Sequence, residues 1–384
     1  MSEQPGTVIG VGMVGMGSMG RAHSSAFRRL PQVRTGAAPA LIALACRSAE
    51  KGPAFAARFG FAQWRDRWQD LMEDDRIGLV DNTGPNGLHA EPCIAAARAG
   101  KHVLCEKPLA RSGAEALQML EAVRAAGVIH MCGFNFRFLP AVRLAKQLIA
   151  EGRCGRILQF RARYLQSSLA DPEFPFRWRS DREHAGHGVL GDLGSHIADL
   201  ARFLIGEPVR ASGSLATFVP ERPLEDAPER RGRVTVDDAF QAIVEFAGGA
   251  TGVLEASKVC LGSKNRLEFE ANGTEGSLQF SLERMNELEV YLRSDEATPM
   301  AGFRRINVTD ATHPFVAQWW PRHPLGWDQT FVHEIGCLFD AIEGRGGVAP
   351  YGATFEDGYR AAVICDAIAA SAERGSPVDI AYAG

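Results

Sequence analysis

Asp192 and His196 stand four residues apart in Gly191-Asp192-Leu193-Gly194-Ser195-His196-Ile197-Ala198-Asp199-Leu200. On a helix that spacing puts a carboxylate and an imidazole on one face, with Leu193, Ile197 and Leu200 left to pack. Histidine titrates near neutrality, so it can remove an alcohol proton while hydride leaves the same carbon. Lys107, in Cys105-Glu106-Lys107-Pro108, closes the fourth predicted strand at its C-terminal end, where open α/β sheets place their ligands. Pro108 biases the lysine toward an extended backbone. A rival chemistry comes from His184, His187, Asp192 and His196, which fall within thirteen residues and could supply zinc ligands. However, His184 and His187 lie in a Gly-rich stretch and neither forms the i,i+4 histidine pair of a zinc helix, so no metal site is assigned. The alternatives to a dehydrogenase are a metal-dependent hydrolase or isomerase built on His184, His187 and His196, and a non-catalytic dinucleotide sensor.

Two overlapping GxGxxG patterns begin the chain, Gly10-Gly12-Gly15 and Gly15-Gly17-Gly20. A phosphate loop needs a full strand before it and a helix after it. Only the second register leaves Val8–Val14 as the strand and a helix from Met19 to Leu30. Gly15, Gly17 and Gly20 are therefore assigned to the loop, with backbone N–H groups near Ser18 and Met19 facing an anion. The second strand ends Ala45-Cys46-Arg47-Ser48, without the acid that hydrogen-bonds an adenosine ribose. Arg47 and Ser48 could instead hold the 2′-phosphate of NADP, or Arg47 could lie over adenine, so NAD and NADP both stay open. The third strand closes in Asp81-Asn82-Thr83-Gly84-Pro85-Asn86, followed by His89. The Thr83–Pro85 turn is read as a cofactor contact. Asn86 and His89 either line the nicotinamide side or cap a helix beginning near Leu88, and capping is the reading preferred for His89.

These residues need elements to hold them. Strands are expected at Val8–Val14, Leu41–Cys46, Leu79–Asn82, His102–Cys105 and Val128–Cys132, with helices between, which implies a parallel sheet covered on both faces. After Asn135 a helix from Pro140 to Glu151 leads into period-two runs at Ile157–Gln166, Ala239–Phe246, Gly252–Val259, Arg266–Ala271 and Gly276–Phe280. A helix at Asp192–Ile205 interrupts them, Pro220–Arg233 reads as a solvated excursion, and helices return at Gln329–Glu343 and Phe355–Glu373. The fold class is thus an α/β Rossmann (doubly wound parallel sheet) domain, residues 1–134. An α+β domain with a large, mostly antiparallel open sheet follows over residues 135–384, its helix at about 355–373 packing back on the first domain.

Composition narrows the function classes. The chain has 384 residues, 46% hydrophobic and 23% charged, as ordinary globular proteins do. Forty-two Lys+Arg against 46 Asp+Glu give a net charge of −4 with no basic block, which disfavours nucleic acid. Eight cysteines are scattered singly, which fits a reducing cytoplasm. No uninterrupted apolar run is long enough for a membrane span, and no charged start marks a signal peptide.

With Gly15-x-Gly17-x-x-Gly20, Glu106-Lys107-Pro108 and Gly191-Asp192-Leu193-Gly194-Ser195-His196 in this order, the chain resembles the Gfo/Idh/MocA oxidoreductases over nearly its whole length. Asp237-Asp238 and the Asn272-Gly273-Thr274-Glu275-Gly276-Ser277 turn match that family's C-terminal sheet. Ala90-Glu91, Asn135-x-Arg137, Tyr164-Leu165-Gln166, Trp178-Arg179 and Pro220-Glu221-Arg222-Pro223 are similar to its levoglucosan and inositol dehydrogenase branch. His187 departs from it, standing where that branch has a small residue.

The resemblance implies that Lys107, Asp192 and His196 form the catalytic group and that Glu106 and Lys107 belong to the cofactor site. It implies oxidation of a secondary hydroxyl of a sugar, anhydrosugar or cyclic polyol, with NAD favoured over NADP. His196 is then the base, Lys107 the donor to the reacting oxygen, and Asp192 the orienting carboxylate. Asn135, Tyr164, Gln166 and Trp178 hold the remaining hydroxyls, Trp178 as a stacking wall. A homodimer or homotetramer formed on the open sheet is expected.

Overall fold

The computed structural model describes residues 7–383. The chain divides into two compact units, one running up to Ala110 with Ala114–Phe138 and Gly326–Tyr359, the other holding Arg111–Gly113, Leu139–Leu325 and the chain from Arg360 onward. The first unit therefore takes in a late segment that lies almost two hundred residues beyond Phe138 in sequence.

The first unit is built on strands β1 (Val8–Val14), β2 (Ala38–Ala45), β3 (Gln63–Arg65), β4 (Leu79–Asn82), β5 (His102–Glu106) and β6 (His130–Gly133), in the order β3-β2-β1-β4-β5-β6. Every neighbouring pair is parallel. Parallel strands need crossovers, supplied by α1 (Ser18–Val33), α2 (Gly52–Phe59), α3 (Gln69–Met72), α4 (Ala90–Arg98) and α5 (Gly113–Ala126). β1 is buried from Ile9 onward, as a central strand covered on both faces must be. Gly10 belongs to this packing: a Cβ there would sit 1.8 Å from the Arg76 carbonyl oxygen. The earlier glycine pattern is thus strand interior, and the chain turns only after Val14, in the register chosen from sequence. β3 was not anticipated, being three half-buried residues at the sheet edge.

The second unit contains α6 (Pro140–Ala150), β7 (Ile157–Leu165), α7 (Arg182–Ala185), α8 (Ser195–Leu204), β8 (Pro208–Ala216), β9 (Glu221–Pro223) and β10 (Arg231–Arg233). Strands β11 (Ala239–Phe246), β12 (Thr251–Ser257), β13 (Arg266–Gly273), β14 (Gly276–Ser281), β15 (Glu287–Leu292), β16 (Arg304–Asn307) and β17 (Val378–Asp379) follow. Nine of them form one sheet, β16-β15-β14-β13-β7-β12-β11-β8-β17, antiparallel except where β12 runs parallel to β7. The rings of Phe160, Phe269 and Phe280 stack across its buried face at 6.2 and 5.2 Å. α8 buries Ile197 and Leu200 completely, about 2 kcal/mol of apolar transfer each. Two helices remain: α9 (Gln329–Ile342), in the first unit, and α10 (Phe355–Arg374), within which the division between units falls.

Two expectations need correction. Pro220–Arg233 is exposed over most of its length, but it is not a loose excursion: β9 and β10 pair as a ribbon and Arg222 is 1% exposed. Its guanidinium donates to the Asp171 and Leu169 carbonyls at 2.9 and 2.8 Å. The helix at Asp192 is also not uniform: Leu190–Gly194 form a π-helical turn and the α-helix starts at Ser195. Such turns recur at functional sites.

Candidate active site

At the start of the first unit, Gly15 adopts φ 98°, a left-handed conformation suited to glycine, and its N–H donates to the Ala45 carbonyl at 3.0 Å. A Cβ on Gly20 would stand 2.9 Å from the Gly15 carbonyl oxygen, so the helix can pack this close only without a side chain. Beside Gly17 the space is open for 4 Å. Helix α1 begins with no side-chain cap and no acid in its first turn. Glycines where backbone must be bare, and an uncapped helix start near Ser18 and Met19, fit a dinucleotide pyrophosphate. Arg47 is exposed at the end of β2, and the Ser48 hydroxyl accepts from the Lys51 N–H at 3.2 Å.

The ends of β4 and β5 are tied together. Thr83 Oγ1 donates to the Val14 carbonyl at 2.9 Å, and Asn82 Oδ1 accepts from the Gly84 N–H at 3.0 Å. Pro85 precedes a 3-10 turn over Asn86–Leu88, and Asn86 is buried. His89 does not cap α4 with its side chain, contrary to the reading preferred from sequence. Its ring faces the Pro108 carbonyl from Nδ1 at 2.9 Å and the Gly84 carbonyl from Nε2 at 3.0 Å, bridging the two loops instead. Burial lowers its pKa, outweighing the two carbonyls. Lys107 follows β5, with Glu106 Oε2 accepting its backbone N–H at 3.0 Å and a cis peptide to Pro108. Asn135 also lies in this unit, buried, with Nδ2 donating to Thr330 Oγ1 at 2.9 Å.

In the second unit, Asp237 builds the entrance to α8. Its carboxylate accepts the N–H groups of Gly188 and Leu190 at 2.9 and 2.7 Å. A Cβ on Gly188 would lie 2.1 Å from the Asp237 carbonyl oxygen. One turn later Asp192 forms an ion pair with Lys258, which stands just past β12. His196 is 6% exposed, and its ring centroid lies 6.0 Å from that of Tyr164. The Tyr164 hydroxyl and Gln166 Nε2 both donate to Asn265 Oδ1 at 2.7 Å. Burial pushes the Tyr164 phenol well up, with the Asp192 charge adding, so it stays a protonated donor. Trp178 is half-buried and carries the Arg179 guanidinium 4.2 Å from its ring centroid, so one face of this expected stacking wall is already covered.

The histidines of the second unit do not converge. Exposed His184 pairs with Asp181, while His187 Nε2 meets Asp366 Oδ1 at 2.8 Å. Among the described residues, no three His, Cys, Asp or Glu side chains are grouped as a metal site. Lys258, Asn265 and Asp366 escaped the sequence reading. The one signal for Lys258 is a charge where the alternation of β12 calls for an inward residue; Asn265 and Asp366 give none.

A chain similar to this one over 97% of its length, at 42% identity and with 98% of the relative covered, is levoglucosan dehydrogenase of Pseudarthrobacter phenanthrenivorans. This chain belongs to the GFO/IDH/MocA oxidoreductase family. Residues 9–134 match the family's NAD-binding Rossmann fold and residues 142–279 its GFO/IDH/MocA C-terminal domain. The scyllo-inositol 2-dehydrogenase (NAD(+)) of Bacillus subtilis is 30% identical over 58% of this chain and 60% of its own. Among solved structures, levoglucosan dehydrogenase in complex with NADH and L-sorbose superposes with a TM-score of 0.94 at 42% identity, covering 98% of this chain and all of that one.

Proposed function

We propose that this GFO/IDH/MocA oxidoreductase is an NAD-dependent dehydrogenase that oxidises one secondary hydroxyl of a sugar, anhydrosugar or cyclic polyol. The observation that carries the reading is the 42% identity, sustained over 97% of the chain, to a levoglucosan dehydrogenase. The nicotinamide ring, when bound, supplies the hydride acceptor. His196 takes the hydroxyl proton, and the Lys107 ammonium donates to the carbinol oxygen and stabilises its developing charge. Asp192 orients the substrate, its charge balanced by Lys258. Tyr164, Gln166, Trp178 and Asn135 contact the other hydroxyls. Gly15, Gly17, Ser18, Met19 and Gly20 receive the pyrophosphate, Arg47 and Ser48 the adenosine ribose. Thr83, Pro85 and Asn86 approach the nicotinamide, while buried His89 and Glu106 fix the loops that do so.

The metal-dependent and sensor alternatives draw no support from side chains already paired in separate places. Association of copies through the nine-stranded sheet is proposed as well, because Ile243 and Val253 pair on its outer face and are 60% and 43% exposed. No helix among the described residues is long and apolar enough to cross a membrane, and all eight cysteines are free. The unpaired cysteines are what supports a cytoplasmic reading. The test is a panel of levoglucosan, inositols, glucosides and aldoses with NAD and with NADP, following reduced nicotinamide by absorbance. Turnover of an anhydrosugar or inositol with NAD is expected, and a panel without turnover refutes the reading.

A further inference from the structure

Three titratable side chains from three elements meet behind Lys107, in the interior of the first unit. His23, on α1, faces both carboxylate oxygens of Asp81 from Nδ1 at 3.1 and 3.0 Å and Glu106 Oε1 from Nε2 at 3.0 Å. His23 and Asp81 are fully buried and Glu106 is 4% exposed. Asp81 lies on β4, Glu106 ends β5, and the Phe331 ring of α9 closes the histidine from the side with centroids 5.3 Å apart. Gly133, at the end of β6, leaves room for the carboxylate, since a Cβ there would stand 3.2 Å from Glu106 Oε1.

A neutral imidazole has one N–H, yet both ring nitrogens face carboxylates, so a neutral ring leaves one contact as acceptor against acceptor. An imidazolium satisfies both. Burial opposes that charge, but the Asp81 carboxylate and the bonds to Asp81 and Glu106 outweigh it and raise His23 well above its ordinary value. Glu106 is lowered: burial opposes ionisation, and the His23 bond and charge, with Lys107, overcome it. Asp81 is raised by burial, partly offset by His23. The other titratable neighbours are Cys105, whose burial raises its pKa, and His89, whose burial lowers its own against the pull of two carbonyls. Two carboxylates around one cation leave one negative charge, and the Glu106 oxygen not facing His23 accepts the Lys107 N–H.

We propose that His23 is a positioning residue for Lys107: clamped between Asp81 and Glu106, it fixes the carboxylate that holds the lysine backbone and keeps a buried negative charge behind the ammonium. This rests on the proposed role of Lys107 in the reaction. The clamp predicts a histidine that stays charged, and a kinetic loss confined to the chemical step, because His23 is fully buried and presents no surface to a ligand.

The test combines nitrogen NMR of histidine-labelled wild-type protein with kinetics of His23→Gln, Lys107→Met and Glu106→Asp. Both ring nitrogens of His23 are expected to carry protons at pH 8; a single protonated nitrogen overturns the clamp, whatever the variants do. In His23→Gln, kcat is expected to fall at least tenfold, with KM and the NADH dissociation constant, read by fluorescence, within about threefold of wild type. Glu106→Asp is expected to retain more kcat than His23→Gln. If Lys107→Met turns over normally, the catalytic reading fails while the NMR result still judges the clamp. If Lys107→Met is inactive and folded His23→Gln matches wild-type kcat, the positioning role alone is refuted.

Discussion

The strand ends of the first unit and the helix entrance of the second are polar in opposite ways. Around Glu106 the charged groups are sealed from water and satisfied by one another, His23 with Asp81 and Glu106 at 3.0 to 3.1 Å. Around His196 the polar groups are more open and recruited from scattered segments. Asp192 is 22% exposed while paired with Lys258, and Tyr164 and Gln166 share one oxygen of Asn265. A sealed network fixes geometry, because an unpaired member costs the full desolvation of its charge. An open one can exchange its internal partners for a ligand's hydroxyls. On the proposed function, the first region suits a fixed cofactor and lysine, the second a substrate held by exchangeable hydrogen bonds.

That contrast can be broken by experiment. The largest effect is expected from His196→Ala and Lys107→Ala, each lowering kcat by about 10²- to 10⁴-fold while NADH binding, read by fluorescence, persists. Turnover near wild type in either defeats its assignment. Next comes Arg222→Ala, in the second unit but as sealed as the first unit's network. It leaves the Asp171 and Leu169 carbonyls and the neighbouring Asp238 carboxylate, 3.8 Å away, without a cation. A loss of about 3 kcal/mol in denaturant unfolding is expected, and a loss below about 1 kcal/mol would contradict a guanidinium sealed against these partners.

The pH response comes third. His130 is lowered to about 4, chiefly by burial, and its Nδ1 accepts the Phe355 N–H at 3.0 Å. Its neutral form is kept in the folded chain, so stability is intact above pH about 6.5 and is lost as pH falls from there to about 4, by roughly 3 kcal/mol. His23 acts in the opposite sense: its contribution is complete below pH about 6.5 and is lost only as pH rises through its raised folded value. Urea midpoints at pH 7 and pH 4 in wild type and His130→Gln check the sign, with the variant expected to show a flatter acid limb. The smallest effect is Arg47→Asp, at an exposed site, expected to weaken NADP by about tenfold more than NAD in fluorescence titrations.

The same contrast decides what could be read from sequence. The turn after Val14, the place of Lys107 after β5 and the helix that carries His196 were legible because each segment is local: strand, turn and helix fix the residues within a few positions. β8 was missed because the sheet meets α10 through Gly213, whose absent Cβ would fall 2.7 Å from the Ile368 carbonyl oxygen, so small residues replace the apolar alternation expected of a strand. The buried clamp was missed because His23, Asp81 and Glu106 are 58 and 83 residues apart in two of its contacts, and a lone histidine on a helix carries no sign of its partners. Arg222 was read as solvated for the same reason: its partners are carbonyls on a distant loop, which composition cannot reveal.

The central claim is that Lys107 and His196 serve one hydroxyl. The measurement that tests it most directly is a double-mutant cycle on kcat/KM for Lys107→Ala and His196→Ala with the best substrate of the panel. Groups acting on the same proton transfer are strongly non-additive, so the double variant is expected to be no more than about tenfold worse than the worse single one. Losses that multiply in full would contradict the account.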